Sequence, residues 1–558
     1  MSSRRPRALL LIALIAGACA LGGAGTAVAA PTGMVCQNGT SFDLTARSGY
    51  VETPDGNSVF MWGYARTGGA FQMPGPVLCV NEGDTVTVTL HNALAEPVSI
   101  VFPGQRPVST GGGDPGLLAR QAPPGGQVQY SFTADRPGTY LYESGTDPAK
   151  QVEMGLAGVL VVRPSGHPDW AYGSADTEFS PQREYLIMMS EIDPDLHNAV
   201  ETGATYDITK LHNRYFTING RSFPDTIQDN GVPWLPAQPY GALVRVKPYD
   251  ATSNPRPALI RMVNAGLLNH PFHPHGNHLR MIAQDGRRFL TPSGGDASSE
   301  HFGETVPAGS TTDMLFSWTD QDKYSPTNPL PVTIPGYNNL AFKDGDTWYS
   351  GSPYLGYKGT LPATVRSQNV CGEHYFPWHS HALNEFTNFD AGFGGLATLL
   401  RVDPPAGCMA VPASTKIVTG SLKGGTYASL ATDDSPATYY EVNSTTVAPR
   451  RTEWYAGFTG VPAGFQNLKV SYKGRSSSSC TQTVAIWRWA TSAWVQLDTR
   501  AVGASDVSIA NLSPPAPQSD FRGTGASAGQ VRVRIACSGP AVSFSSSGTS
   551  MNLVYDAP

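Results

Sequence analysis

This 558-residue chain lacks several things, and each lack excludes a class of function. None of its 7 cysteines forms a C-x-x-C pair, which argues against thiolate metal knuckles and thioredoxin-like redox motifs. Charged residues make up 15% of the chain, the formal net charge is −6, and no long basic run occurs, so nothing is built to hold a phosphate polymer and no nucleic-acid partner is expected. Heptads and low-complexity tracts are absent. Beyond the N-terminus no stretch is long and apolar enough to cross a bilayer, so no transmembrane segment is expected.

Glycine and proline are plentiful. With 60 Gly and 46 Pro the chain reads as turn-rich β structure, and its length predicts two to four domains. At the start, "MSSRRPR" is positive, "ALLLIALIAGACALGGAG" is apolar, and "AVA" fits a cleavage site. That pattern predicts a secretory signal peptide over 1–29 and a secreted, extracellular protein. Arg4-Arg5 suggests twin-arginine export, but "PRALL" matches that signal poorly, and both export routes stay open. "AGA" before Cys19 is a weak lipidation context. The other cysteines are Cys36, Cys79, Cys371, Cys408, Cys480 and Cys537. Sequence does not choose among the 15 pairings that six cysteines allow. They fall in successive pairs, each within one block of the chain, so the expectation is disulfides 36–79, 371–408 and 480–537 in an oxidising compartment.

Three blocks follow the leader. Residues 30–165 alternate as strands do: in "DTVTVTL", Val86, Val88 and Leu90 share a face. "RPGTYLYESG" and "GLAGVLVV" predict further strands. Residues 178–405 repeat the pattern in "REYLIMMSEI", "ALVRVKP", "ALIRMVNAG" and "TTDMLFSW", separated by Pro/Gly-rich loops such as 324–363. After "RVDPPAGC" the texture turns to Ser, Thr and Gly, and 413–558 reads as a separate β-sandwich with strands "NLKVSYKG", "TVAIWRWA", "WVQL" and "QVRVRIAC". The fold class is all-β.

Seven of the 12 histidines fall in two windows, "HPFHPHGNH" and "HYFPWHSH". Along a strand, residues i and i+2 share a face, so His273 pairs with His275 and His379 with His381. Two such pairs on neighbouring strands can converge on one metal ion; imidazole suits copper, zinc and iron, and the affinity order favours copper. Ser380 points the other way. The competing reading is a polar pocket in which the imidazoles bond one another, water and backbone.

Those motifs, with "GDTVTVTLHN", "GTYLYESG", "GLAGVLVV", "YFTINGRSFP" and "RMVNAG" in the same order, resemble the multicopper oxidase family over most of residues 75–405. The resemblance implies two cupredoxin-like Greek-key β-barrels before the terminal sandwich. It implies copper, and it places His270 as a blue-copper ligand and His273, His275, His379 and His381 as ligands of the oxygen-reducing cluster. The departures are equally specific. The family's first motif, S-I-H-x-H-G, is here "SIVFPG", with Val101 and Pro103 in the ligand places. Its second, Y-H-S-H, is "YESG", with Glu143 and Gly145 there. Ser380 stands where the blue-copper cysteine belongs, and Glu385 lies near the place of a further histidine. A serine hydroxyl cannot replace a soft thiolate on copper, and it breaks the covalent electron path to the cluster.

The expected site is therefore one ion per chain, most simply copper, on His273, His275, His379 and His381. Glu143 faces it from the first domain, and His270 is a further candidate ligand. His278 and His374 read as outer or structural, Glu373, Asn384 and Glu385 as a loop face, and His301 as uninvolved. Two functions stand open: an oxidoreductase of reduced copper content with a small-molecule or metal-ion substrate, or a non-catalytic copper-binding or surface protein. In 413–558, Trp487, Trp489 and Trp494 suggest a cell-surface or glycan contact, although core packing is the plainer reading. A homo-oligomer is an expectation by analogy with small two-domain relatives.

Overall fold

The alternation in "DTVTVTL" becomes the strand Thr85–Asn92, whose Val86, Val88 and Leu90 are buried while their neighbours are not. This is a computed structural model, and the residues it describes are 33–319, 374–389, 394–403, 407–431, 438–539 and 542–556. The leader 1–29, the loop 324–363, Cys371 and Glu373 lie outside them.

The first block folds as two facing sheets. One has the order Ser58–Arg66, Ser41–Glu52, Thr85–Asn92, Gln127–Thr133, Ser109–Gly112; the other has Cys36–Asn38, Val77–Asn81, Ala157–Arg163, Gly138–Glu143. Parallel and antiparallel pairings mix, since Ser41–Glu52 runs parallel to Thr85–Asn92 and Val77–Asn81 parallel to Ala157–Arg163. Leu44, Tyr64 and Val88 from one sheet meet Leu78, Tyr142 and Leu160 from the other in a closed core. The disulfide Cys36–Cys79 joins two neighbouring strands of the second sheet, as expected.

The second block repeats the plan. One sheet runs Tyr215–Ile218, Glu184–Ile192, Ala258–Asn264, Thr311–Phe316, Leu279–Gln284, Arg287–Arg288, with Ser299–His301 also on Leu279–Gln284. The facing sheet runs Val244–Val246, Ala397–Val402, His374–Ser380, His270–Pro274, Glu304–Val306. The barrels stand back to back. Val77, Leu141, Val159 and Val161 pack on Leu186, Met188 and Val263, so the strands at this junction are buried on both faces and read as continuous apolar runs. Arg261, buried there, bonds Glu184 at 2.7 Å, and Asp313 accepts the hydroxyls of Thr139 and Tyr172, each at 2.6 Å. Each buried charge thus has an opposite charge or donors to offset its desolvation. The helix Pro194–Thr202 crosses from the second block to the first core through Leu196. Asp193 caps its first turn, and Gly203 ends it with φ 72°.

The last block is two sheets around Trp454, Val470, Ile486, Ile535 and Leu553. The strand Cys408–Ala410 adds to its edge, ahead of residue 413. Cys480–Cys537 is bridged as expected, and Cys408 is also disulfide-bonded, while its expected partner Cys371 lies outside the described residues. No helix among the described residues is long and apolar enough to cross a membrane. The chain is all-β as read, two cupredoxin-like barrels and a sandwich.

Candidate metal centre

The strand His270–Pro274 pairs antiparallel with His374–Ser380, and the register sets His273 opposite His379 and Phe272 opposite Ser380. Beyond the strands the pairing continues: the His275 amide donates to the Pro377 carbonyl and the His381 amide to that of Pro271. The two i,i+2 imidazole pairs thereby meet on one face. Ring centroids lie 4.9 Å apart for His273 and His275, 4.8 Å for His275 and His379, 5.3 Å for His273 and His381, and 6.1 Å for His379 and His381.

Hydrogen bonds set the tautomers. His379 Nδ1 lies 2.6 Å from its neighbour's carbonyl, Ser380 O, and His273 Nδ1 lies 2.8 Å from Phe302 O. A carbonyl only accepts, so each Nδ1 carries hydrogen and, in the neutral ring, leaves a lone pair on Nε2. His275 Nε2 and His379 Nε2 approach to 2.8 Å, and one proton must sit between them. Burial pushes the His275 imidazole down, and the rings of His379, His273 and His381 push it further, to about 4. Burial also lowers His379, with His273 and His381 adding to the effect. Neutral imidazole is the form that binds metal. Among the described residues, no group of three or more His, Cys, Asp or Glu side chains already stands in ligating geometry.

His270 lies on the opposite face and is handled differently. It is completely buried, with Nδ1 2.9 Å from Glu385 Oε2 and Nε2 2.8 Å from Glu191 Oε1. The second contact is an ion pair with its N–H off line, since Nε2 has no aligned hydrogen bond. Ser380 Oγ donates to the same Glu385 Oε2. Glu191 is braced by the amides of Leu267 and Leu268 at 3.0 and 2.9 Å. Burial alone would lower His270, but the two carboxylates outweigh it and hold the ring at about 9. At neutral pH this is an imidazolium. Sequence reading missed Glu191. Its signal was a lone carboxylate at the end of the apolar run "YLIMMSEI", in a strand buried throughout.

The remaining candidates are dispersed. Glu143 ends the strand Gly138–Glu143 and bridges Val101 through backbone bonds, so the two altered N-terminal motifs are neighbours. Burial raises its carboxyl to about 7, and among the described residues it makes no ion pair with the imidazoles. Beside it, a Cβ added to Gly145 would meet a Val101 methyl at 2.5 Å and Leu118 Cβ at 3.1 Å. Two apolar atoms and, at 3.4 Å, the Ser99 hydroxyl fill that space. His278 is exposed near Phe302, with ring centroids 6.1 Å apart. His301 bonds Ser299 and pairs with Glu304, and Asn384 is exposed. His374 is placed by backbone pairing to Val402.

Comparison with known proteins agrees with the sequence resemblance. The family model described as multicopper oxidase matches residues 53–167. A copper resistance protein A homolog of Pseudomonas syringae pv. tomato is 30% identical over 197 residues, 35% of this chain and 29% of that protein. Putative laccase-11 of Oryza sativa subsp. japonica is 25% identical over 337 residues, 59% of this chain and 55% of that one. The chain thus spans about half or less of these relatives. A solved blue copper oxidase from Nitrosomonas europaea is 19% identical with a TM-score of 0.45, covering 65% of this chain and 86% of that one. Over these stretches the chain is similar to multicopper oxidases, a family for which copper is the implied cofactor.

The donor set decides how much copper fits. The blue position offers an imidazolium, two carboxylates and a hydroxyl in place of a thiolate, and the N-terminal ligand places offer Val101, Pro103, Gly145 and one carboxylate, Glu143. Neither fits the family's full set. The four clustered imidazoles of His273, His275, His379 and His381 are donors of a type that suits copper, although as they stand they form no ligating group among the described residues.

Proposed function

We propose that the chain is a secreted copper-binding protein of this family that holds one ion on His273, His275, His379 and His381 and acts as an oxidoreductase of reduced copper content. The observation that carries this reading is the tautomer pattern. Two of the rings give Nδ1 to backbone carbonyls, leaving Nε2 as donor, and a third ring meets one of them Nε2 to Nε2 at 2.8 Å. A bound copper would supply one-electron chemistry. The chain's own groups would keep the rings neutral and oriented, and Glu143, raised to about 7 by burial in the first barrel, would be the further carboxylate candidate. His270 is outside the proposed ligand set, because both its nitrogens already face carboxylates. The substrate class is a small molecule or a metal ion. We take 30–165, 178–405 and 413–558 as the domains, after a leader at 1–29.

The test is copper stoichiometry and affinity by calorimetry on the mature protein. We expect about one copper per chain. His275→Ala with His379→Ala should remove most binding, since two remaining ligands are too few for a tight site. Glu143→Ala should weaken binding less, and His301→Ala should change nothing. Unchanged binding in the double variant would place the ion elsewhere. Four coppers per chain would overturn the reduced complement. The second reading, a non-catalytic copper-binding or surface protein, is favoured by the filled blue position. It predicts one bound copper with no oxygen consumption against any reductant.

A further inference from the structure

The terminal sandwich has an outward sheet face that the metal site does not use. Its strands run Ser414–Thr419, Arg451–Phe458, Val531–Ser538, Cys480–Arg488, Ala493–Val502. The inward residues Trp454, Val533, Ile535 and Ile486 are core. Strand alternation therefore turns Tyr455, Arg532, Arg534 and Trp487 outward. Register aligns them: Lys416 opposite Tyr455, Tyr455 opposite Arg534, and Trp487 opposite Trp494. All three tryptophans are half-buried and stand outside the core cluster, so core packing does not explain them.

Rings and guanidiniums interleave on this face. Arg532 lies 4.5 Å over Trp489 and 5.5 Å over Tyr455, and Arg534 lies 4.8 Å over Trp494. Trp487 meets Trp494 edge-on at 5.1 Å. Stacking fixes each guanidinium plane and leaves N–H groups at its edges for an acceptor. Lys416, Arg451, Arg532 and Arg534 share this face with Glu453, which pairs with Arg534 at 2.9 Å, and Asp520 stands beside Trp489 in an ion pair with Arg488. Arg532, Lys416 and Arg451 have no ion-pair partner among the described residues, and the indole Nε1 of Trp489 is buried without a hydrogen bond. This in a chain of net charge −6 is a local basic, aromatic face.

We propose that this face docks a carboxylate-bearing linear polysaccharide. Sugar rings are flat and C–H-rich and stack on indole, while uronate carboxylates match guanidinium edges. Five strands span roughly 19 Å, enough for several sugar units. The bridge Cys480–Cys537 within this same sheet suits an oxidising compartment, where such polymers are met. The inference deepens the surface-protein alternative but does not rest on copper binding.

The test uses the full chain with sodium polygalacturonate, neutral dextran, single-stranded DNA and anionic vesicles. Binding is read by tryptophan fluorescence and gel retardation. Polygalacturonate should bind, weaken as salt rises, and bind about tenfold more weakly to Arg532→Gln with Lys416→Gln, two exposed or half-buried positions. Dextran should not bind. Melting curves and copper content of the variant should match the parent, which separates this test from that of the metal site. Should the variant melt early, Trp494→Phe supplies the second reading: it should alter the fluorescence response while keeping the fold. No retardation by polygalacturonate, equal retardation of parent and variant, or tighter binding of DNA or vesicles would each overturn the proposal.

Discussion

His270 and His275 stand five positions apart, and their imidazoles are driven in opposite directions. His275 is pushed down to about 4 by burial among other imidazoles, while His270 is held at about 9 because two carboxylates outweigh its burial. Burial acts the same way on both; the neighbours differ. On one face of the paired strands the imidazoles of His275 and His379 are pushed down and meet Nε2 to Nε2. On the other face the cation is already present, as a proton on His270 between Glu191 and Glu385. One strand face thus gathers imidazoles against one another, and the other makes an imidazole the centre of a salt-bridged core.

The largest effect should come from removing that proton's carrier. His270→Ala leaves Glu191 and Glu385 facing each other in a buried cavity without a cation. Breaking a buried pair in this way typically costs about 3–5 kcal/mol. We expect a clear fall in the unfolding midpoint of the metal-free protein and little change in copper content. A copper loss as complete as in the His275/His379 double variant would mean that His270 is itself a ligand. Unaltered stability would mean that the pair is not charged.

A smaller, graded effect should appear with pH in metal-free protein. His270 has a folded value above the ordinary one, so its contribution is full below about 6.5 and is lost as pH rises through about 9. His275 is shifted the other way. Its unfolded form binds the proton more readily, so stability is lost as pH falls from about 6.5 towards about 4. The buried His197, lowered to about 4 chiefly by burial, adds to the acid limb. Unfolding midpoints across pH 4 to 10 should therefore trace a dome, and Glu385→Gln should bring the alkaline fall to lower pH. An alkaline limb unmoved by that substitution would remove His270 as its source.

Much of this was legible in the sequence because strand periodicity is a local property. Val86, Val88 and Leu90 point inward as their alternation says, and the i,i+2 rule aligns His273 with His275 and His379 with His381, while the register of the two strands brings the pairs together. Two of the three expected bridges are seen directly. What depended on distant chain segments was not legible. Glu191 comes to His270 from a strand nearly eighty residues earlier, and only the register of a whole sheet brings it there. Glu385 was read as a solvated loop position but is buried, because the helix Leu383–Phe386 folds back under Ser380. The terminal tryptophans show the converse. Trp487 looks like a core residue by composition, yet unbroken alternation after the core residues Val484 and Ile486 turns it outward.

The smallest expected change is the most diagnostic. Copper-loaded protein should lack the intense visible band of a copper thiolate, because Ser380 supplies only a hydroxyl and Cys36, Cys79, Cys408, Cys480 and Cys537 are in disulfides. Ser380→Cys alone should leave the spectrum and the copper count as they were. The new thiol would lie beside Glu385, whose carboxylate still holds the proton on His270 Nδ1, and nothing on that face would be vacated for an ion. Adding Glu385→His changes the balance. It removes that carboxylate from Nδ1 and supplies a second neutral ring beside a thiolate, the His2Cys set that blue copper requires. Glu191 would remain on Nε2, where a carboxylate orients a ligating imidazole and raises its basicity. Visible absorption of the copper(II) forms should therefore separate the single from the double variant. An intense band in Ser380→Cys would show that the proton on His270 yields easily to copper, and the contrast between the two faces of these strands would then lie in the missing thiolate alone.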